Sequence, residues 1–240
     1  MRIVRFRHKG KEGWGIYQDD KIKTAGLTLD FKKVKLLAPA IPSKIILVGL
    51  NYRDHARELK MPIPKEPIIF LKPATALIGP GEDIIYPRGV QRLDYEAELA
   101  LVIKKKGRNI PSGRAGEYIL GYTCLNDVTA RDIQKKDGQW MRAKSFDTFC
   151  PLGPWLETVI NPANLKIKAL LNGKVRQDSS TADLIFTIPY LVGFISRVMT
   201  LLPGDIISTG TPVGVGPMQP GDTIKVNIEG IGEISNRVRR

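Results

Sequence analysis

The stretch Asp94-Tyr95-Glu96-Ala97-Glu98-Leu99-Ala100-Leu101-Val102-Ile103 sets two carboxylates two residues apart at the head of an apolar run. Alternate side chains of a strand share a face, so Glu96 and Glu98 are expected to point the same way. Neighbouring carboxylates repel, and burying them unpaired is costly. Solvent, basic partners or a cation would each relieve that repulsion. The solvated face of an edge strand is therefore the purely structural alternative to a site. A second acidic cluster, Asn126-Asp127-Val128-Thr129-Ala130-Arg131-Asp132, lies where an apolar strand runs into a helix start. Capping that helix would account for Asp127 by itself. Three carboxylates without cysteine or clustered histidine would make an oxygen-donor site. Such a site suits Mg2+, Mn2+ or Ca2+ rather than zinc or copper.

The segment Gly49-Leu50-Asn51-Tyr52-Arg53-Asp54-His55-Ala56-Arg57-Glu58 carries one of the two histidines in the chain. His55 and Glu58 are spaced i, i+3 and share a helix face. A carboxylate beside an imidazole raises its pKa and orients its ring, as a general base requires. A surface pair on a solvated helix is the alternative. Thr209-Gly210-Thr211-Pro212-Val213-Gly214-Val215-Gly216 has the glycines of a phosphate cradle. It lacks a P-loop lysine and a following helix, which excludes nucleotide binding of that kind. A tight turn could present Thr211 to a ligand, or the glycines could simply form β-turns. Trp140 and Met141 precede Lys144 and would either line a pocket or pack in the core.

These groups need a scaffold, and the composition supplies one. The chain has 240 residues, 42% hydrophobic and 25% charged, which is ordinary globular composition. Cys124 and Cys150 are too few for a disulfide framework, so a cytoplasmic location is expected, with Cys124 buried and inert. The basic N-terminus has no apolar h-region, and no apolar stretch reaches the roughly 20 residues of a membrane helix. The net charge is +13, and residues 1–60 alone hold 14 Lys+Arg against 6 Asp+Glu. That excess could serve nucleic acid, but no zinc-finger spacing, RNP-like string or helix-turn-helix accompanies it. A solvated basic surface, or a site mouth that attracts anions, is the expected reading.

Met1–Arg7 reads as an edge strand and Gly13–Tyr17 as a second, giving a small N-terminal β unit over residues 1–40 that ends near Pro39–Pro42. Residues 41–240 then form the main domain. Ile45–Val48 is a buried strand, Tyr52–Leu59 a helix broken by Pro62, Pro64 and Pro67, and Ile68–Leu71 a short strand. Tyr95–Ile103 and Tyr118–Leu125 are strands, with a short polar helix at about Val128–Lys135. Leu165–Leu171 and Lys174–Gln177 pair around Asn172-Gly173 as a type I′ hairpin. Ile188–Leu201 is the longest amphipathic helix, opened by Pro189. The balance is α+β and β-rich.

Taken in order, the motifs resemble the fumarylacetoacetate hydrolase family. The matching strings are Gly-Leu-Asn-Tyr-x-x-His-x-x-Glu at 49–58, Asp-Tyr-Glu-x-Glu-Leu at 94–99 and Asn-Asp-x-Thr-Ala-Arg-Asp-x-Gln at 126–134. Ala143-Lys144-Ser145-Phe146-Asp147, the run at 209–216 and Gly-Ile-Gly at 230–232 complete the set. The likeness covers roughly residues 40–240. It implies a mixed β-roll of the family's C-terminal-domain type, usually a homodimer, with a small variable N-terminal unit. It implies that Glu96, Glu98 and Asp127 bind one Mg2+ or Mn2+, which overturns the structural alternatives for all three. Lys144 would stabilise negative charge on the substrate, Arg131, Gln134 and Thr211 would contact it, and His55 with Glu58 would activate water.

The implied substrate is a small anionic 2-oxo acid that chelates the cation through its carboxylate and keto oxygens. Breaking the C3–C4 bond of a 2,4-dioxo acid leaves a pyruvate enolate, and its charge develops beside Lys144. Presence of both His55 and Glu58 favours hydrolysis of an acylpyruvate or fumarylacetoacetate-like substrate. The same enolate serves oxaloacetate decarboxylation or tautomerisation and isomerisation of a 2-hydroxyhepta-2,4-diene-1,7-dioate, as in family members of aromatic-acid breakdown. An inactive structural subunit and a nucleic-acid-binding protein stand further off.

Overall fold

Ile45-Ile46-Leu47-Val48-Gly49 has no polar side chain, and it forms a strand buried on both faces, as such a run must. The computed structural model describes residues 1–240. Ile45–Gly49 runs parallel to Ile206–Ser208 and antiparallel to Ile68–Lys72. Ile206–Ser208 leads on to Ala97–Ile103, then Ile119–Asn126, then Cys150–Glu157. These strands belong to a twelve-stranded mixed sheet, with Ile68–Lys72 at one end. A five-stranded sheet packs against it, built from Lys166–Leu171, Lys174–Ser180, Thr223–Ile228, Gly232–Arg239 and Ile84–Ile85. Leu99, Leu101, Ile167, Val226 and Ile234 meet in the main core between the two sheets. The architecture is thus β-rich α+β. No helix is long and apolar enough to cross a membrane.

The hairpin at 172–173 forms as expected: Asn172 and Gly173 have φ of 51° and 78°, the positive values a type I′ turn needs. The helix at 188 also forms but ends at Val198. Other elements differ from expectation, each for a tertiary reason. Arg2–His8 is not an edge strand, because Arg2 and Ile3 pair with Glu157 and Leu156 while its other side meets Lys11–Gln18. The N-terminal strands therefore continue the large sheet, around a small core of Val4, Phe6 and Ile22. The strand expected over Tyr95–Ile103 is broken at Glu96. Leu93–Tyr95 belongs instead to a separate three-stranded sheet. At the break, side chains replace ladder partners: the Glu96 N–H donates to Asn126 Oδ1 (3.0 Å) and the Ala97 N–H to Gln177 Oε1 (2.9 Å). The polar helix starts later, at Arg131, because Thr129–Ala130 pairs with Leu93–Asp94.

One buried carboxylate fixes the parallel pairing of Ile45–Gly49 with Ile206–Ser208. Asp205 has no exposed surface. It accepts the backbone N–H groups of Ser43 (3.1 Å), Lys44 (3.2 Å) and Leu202 (2.8 Å), the Ser43 hydroxyl (2.6 Å) and the Lys44 ammonium. These bonds tie residues 43–44 to the turn before Ile206 and so set the Ile45–Ile206 register. Asp205→Ala leaves those donors unpaired and is expected to cost about 3 kcal/mol, measured by urea unfolding. Burial pushes the Asp205 pKa up, but the bonds from Lys44, Ser43 and Leu202 outweigh it and hold the carboxyl below its ordinary value. A depressed folded pKa stabilises above the unfolded value, roughly 3.9, and that contribution is lost as pH falls through the folded one. The gap between wild type and Asp205→Ala should therefore shrink below about pH 4.

Candidate active site

Antiparallel register brings the three carboxylates together. Ala97 pairs with Asn126, so Glu96 and Asp127 are the next residues outward on the two strands, and the Asp127 N–H donates to the Glu96 carbonyl (2.9 Å). Glu98 follows on the same face as Glu96. One carboxylate oxygen from each of Glu96, Glu98 and Asp127 lies within 4.8 Å of the other two, and all three residues are buried. The solvated-edge alternative fails because Ala97–Ile103 has neighbours on both sides. The capping alternative for Asp127 fails too: Ala130 is the N-cap, without a side-chain bond.

Each carboxylate is held differently. Glu98 Oε2 accepts the Ser208 hydroxyl (2.5 Å) and the Gly210 N–H (2.9 Å), both neutral donors. Gly210 has φ +92°, and a Cβ there would stand 3.0 Å from the Val48 carbonyl oxygen, so glycine is what lets this backbone approach. Glu96 accepts the Lys144 ammonium (2.9 Å), the Thr129 hydroxyl (3.2 Å) and an Arg131 N–H. Asp127 Oδ2 accepts the Lys144 ammonium at 2.5 Å. Asp127 Oδ1 pairs with the buried Lys72 ammonium, 2.8 Å away. The Lys72 ammonium also donates to the Val128 and Phe149 carbonyls (2.9 and 2.6 Å).

The electrostatics follow from these contacts. Burial raises the Glu96 pKa, but Lys144 and Arg131 outweigh it and bring the carboxyl down to about 2. Burial, Asp127 and Glu96 all push Glu98 well above the usual carboxylate range. Burial lowers the Lys144 pKa, yet Asp127 and Glu96 hold it above the ordinary lysine value. Burial prevails at Lys72 and keeps it below that value. A Glu98 hydrogen-bonded only by neutral donors and an all-carboxylate set fit a hard divalent cation.

A cleft of about 280 Å3 opens over the triad, and His55, Lys144, Arg131, Gln134 and Thr211 all line it. His55 Nδ1 lies 2.8 Å from Glu58 Oε2, as the spacing predicts. Their helix, Arg53–Glu58, is anchored by Asp54, whose carboxylate accepts the Ser179 hydroxyl (2.6 Å). Glu58 Oε1 accepts the Gly214 N–H (3.2 Å), so the glycine turn at 209–216 touches both Glu98 and Glu58. Arg131 Nε donates to Asp94 (2.9 Å) and Nη1 to Gln134 Oε1 (2.5 Å). The Thr211 hydroxyl proton goes to the Ala97 carbonyl (2.9 Å), leaving its oxygen facing Gln177 Nε2 (2.9 Å). Trp140 lines the cleft, whereas Met141 is 70% exposed and belongs to neither pocket nor core.

Sequence reasoning missed Lys72, Asp94, Ser208 and Gln177. Lys72 left a faint signal, a lone cation closing the apolar strand Ile68–Lys72. Asp94 stands inside the matched motif but is buried as an anchor that Arg92 (2.8 Å) and Arg131 (2.9 Å) share.

Residues 44–239 match the family described as fumarylacetoacetate (FAA) hydrolase C-terminal, and residues 1–39 match one described as Rv2993c-like, N-terminal. The structure of 5-carboxymethyl-2-hydroxymuconate delta-isomerase from Mycobacterium smegmatis superposes with a TM-score of 0.95 at 47% identity, covering 100% of this chain and 99% of that one. The mitochondrial oxaloacetate tautomerase FAHD2A of Bos taurus is 46% identical over 219 residues, 86% of this chain and 70% of its own length. A maleylpyruvate hydrolase from Sphingobium sp. SYK-6, solved with manganese (II) ion and pyruvate, superposes at TM-score 0.86 and 32% identity, covering 100% of this chain and 99% of that one. Buried carboxylate triad, β-rich architecture and matched sequence together place this chain in the fumarylacetoacetate hydrolase family.

Proposed function

We propose that the protein is a divalent-metal-dependent hydrolase of acylpyruvates, cleaving the C3–C4 bond of a 2,4-dioxo acid to pyruvate and a carboxylic acid. The observation that carries this reading is the His55–Glu58 pair, whose imidazole opens on the same cleft as the three carboxylates and Lys144. Glu96, Glu98 and Asp127 would hold Mg2+ or Mn2+, which supplies Lewis acidity at the 2-oxo group. The chain's own residues account for the remaining work. With Nδ1–H donating a hydrogen bond to Glu58, the His55 Nε2 is free to take a proton from water. That water adds to the C4 carbonyl, and collapse of the adduct breaks C3–C4. The electron pair moves into the pyruvate fragment and negative charge grows on its C2 oxygen. The buried Lys144 ammonium is preorganised for that charge. Protonation at C3 completes pyruvate.

A second reading is tautomerisation of oxaloacetate or isomerisation of a 2-hydroxy-dienoate through the same enolate. It is favoured by the names of the relatives at 46–47% identity, against 32% for the hydrolase. Neither reaction needs an attacking water. EDTA-stripped protein, incubated with acetylpyruvate, oxaloacetate or a 2-hydroxy-dienoate with and without Mg2+ or Mn2+, separates the two. Hydrolysis is supported by metal-dependent pyruvate release from acetylpyruvate that drops by about 10²–10⁴-fold in His55→Ala. Turnover confined to oxaloacetate or the dienoate, and surviving His55→Ala, replaces it with the second reading. The expected assembly is a homodimer, checked by light scattering.

A further inference from the structure

The cleft lining combines two chemically different sets of residues. Among the polar ones nearly every cation is engaged. Lys144 is bound by Glu96 and Asp127, and Arg131 by Asp94 and Glu96. His55 faces Glu58. Lys135 is the remaining lining cation, and it is solvent-exposed. A solvent-exposed ammonium contributes little to holding a second carboxylate. Much of the remaining lining is apolar: Leu59, Met61, Ile68, Phe70 and Trp140, with the Lys144 ammonium over the Phe70 ring at 5.2 Å. Leu59, Met61 and Ile68 are 48%, 50% and 42% exposed, so large apolar side chains stand open to water at this cleft.

The wall is built rather than incidental. Trp140 meets Phe70 edge to face, with centroids 5.2 Å apart and planes at 79°. A Cβ on Gly49 would lie 2.5 Å from the indole, so the ring rests directly on glycine backbone. The Trp140 carbonyl accepts the Lys144 N–H (3.1 Å), which ties the wall to the residue that faces the reacting end.

The geometry points to substrate selection by this wall: the site takes 2,4-dioxo acids whose acyl end is apolar and discriminates against those ending in a second carboxylate. This inference rests on the 2-oxo acid reading and names the substrate class within it. Trp140 and Met61 are its specificity-determining residues.

Calorimetric titration of the Mn2+-loaded protein with uncleavable 2-oxo acids tests it apart from turnover. In the series pyruvate, 2-oxobutanoate, 2-oxopentanoate, 2-oxohexanoate, Kd is expected to fall about fourfold per methylene, the factor set by burying a CH2 group. The dicarboxylate 2-oxoglutarate should bind more weakly than 2-oxopentanoate. Trp140→Ala should flatten the series. Met61→Ser, at an exposed position that does not burden folding, should flatten it in part. A flat wild-type series, tighter binding of 2-oxoglutarate, or a slope untouched by Met61→Ser overturns the inference. A steep series without pyruvate release from acetylpyruvate or hexanoylpyruvate would instead sink the hydrolase reading and leave the wall's selectivity standing.

Discussion

Glu98→Gln is expected to lower turnover of every 2-oxo acid by about 10³-fold or more, because some 4 kcal/mol of Lewis-acid stabilisation is lost with the cation. The same change should leave the metal-free protein as stable as wild type or more so. Glu98 is 1% exposed, and its nearest charges include Asp127 and Glu96. Its oxygen accepts from Ser208 and Gly210, and a glutamine carbonyl can accept the same two bonds. The substitution thus removes a buried charge while keeping volume and hydrogen bonding. Its pH signature has a definite sign. An acid whose folded pKa is raised destabilises the fold as pH climbs from the unfolded value through the folded one. With EDTA present, Glu98→Gln should therefore gain on wild type as pH rises from about 4 upwards. Adding Mn2+ should raise the melting temperature of wild type and leave that of Glu98→Gln unmoved. A variant that still binds Mn2+ with wild-type affinity would remove Glu98 from the ligand set.

Lys144→Met gives the complementary result: the cation stays and turnover goes. Lys144 is 2% exposed and donates to Glu96 and Asp127 at 2.9 and 2.5 Å. Its loss leaves two buried carboxylates short of a partner, so the metal-free protein should lose about 3–5 kcal/mol, read by urea unfolding in EDTA. Mn2+ replaces part of the missing positive charge and should recover part of that stability. Turnover of the Mn2+-loaded variant is expected to fall by about 10²–10³-fold in kcat, since the preorganised ammonium acts on charge that appears only in the transition state. Lys144→Arg should not rescue it, because a planar fork does not fit where a point charge touches two carboxylates. Full activity in either variant would take Lys144 out of the chemistry. The pair of experiments therefore separates holding the cation from stabilising the enolate.

Several parts of this protein were legible because they depend on neighbours in sequence. Asn172-Gly173 predicts its own turn through two positive φ values. The i, i+3 spacing puts His55 against Glu58 once a helix forms. An unbroken apolar run makes Ile45–Gly49 a buried strand. The period of two put Glu96 and Glu98 on one face. By themselves these rules left the carboxylates undecided between a wet edge, a cap and a site, and the ordered motifs resolved it by resemblance.

What only the tertiary structure decided is how those groups are satisfied. Glu96 interrupts a strand that alternation would continue, since its N–H is taken by Asn126 and the next by Gln177, 30 and 80 residues away. Arg2–His8 is interior because Cys150–Glu157 lies beside it. Lys72 stands against Asp127, and Asp94 anchors Arg131, through sheet register. Local sequence sets backbone torsion and which face a side chain takes, because sterics act over a few residues. The partner of a buried charge is chosen by whichever strand the fold lays alongside, and in a low-dielectric interior that choice sets each group's charge state.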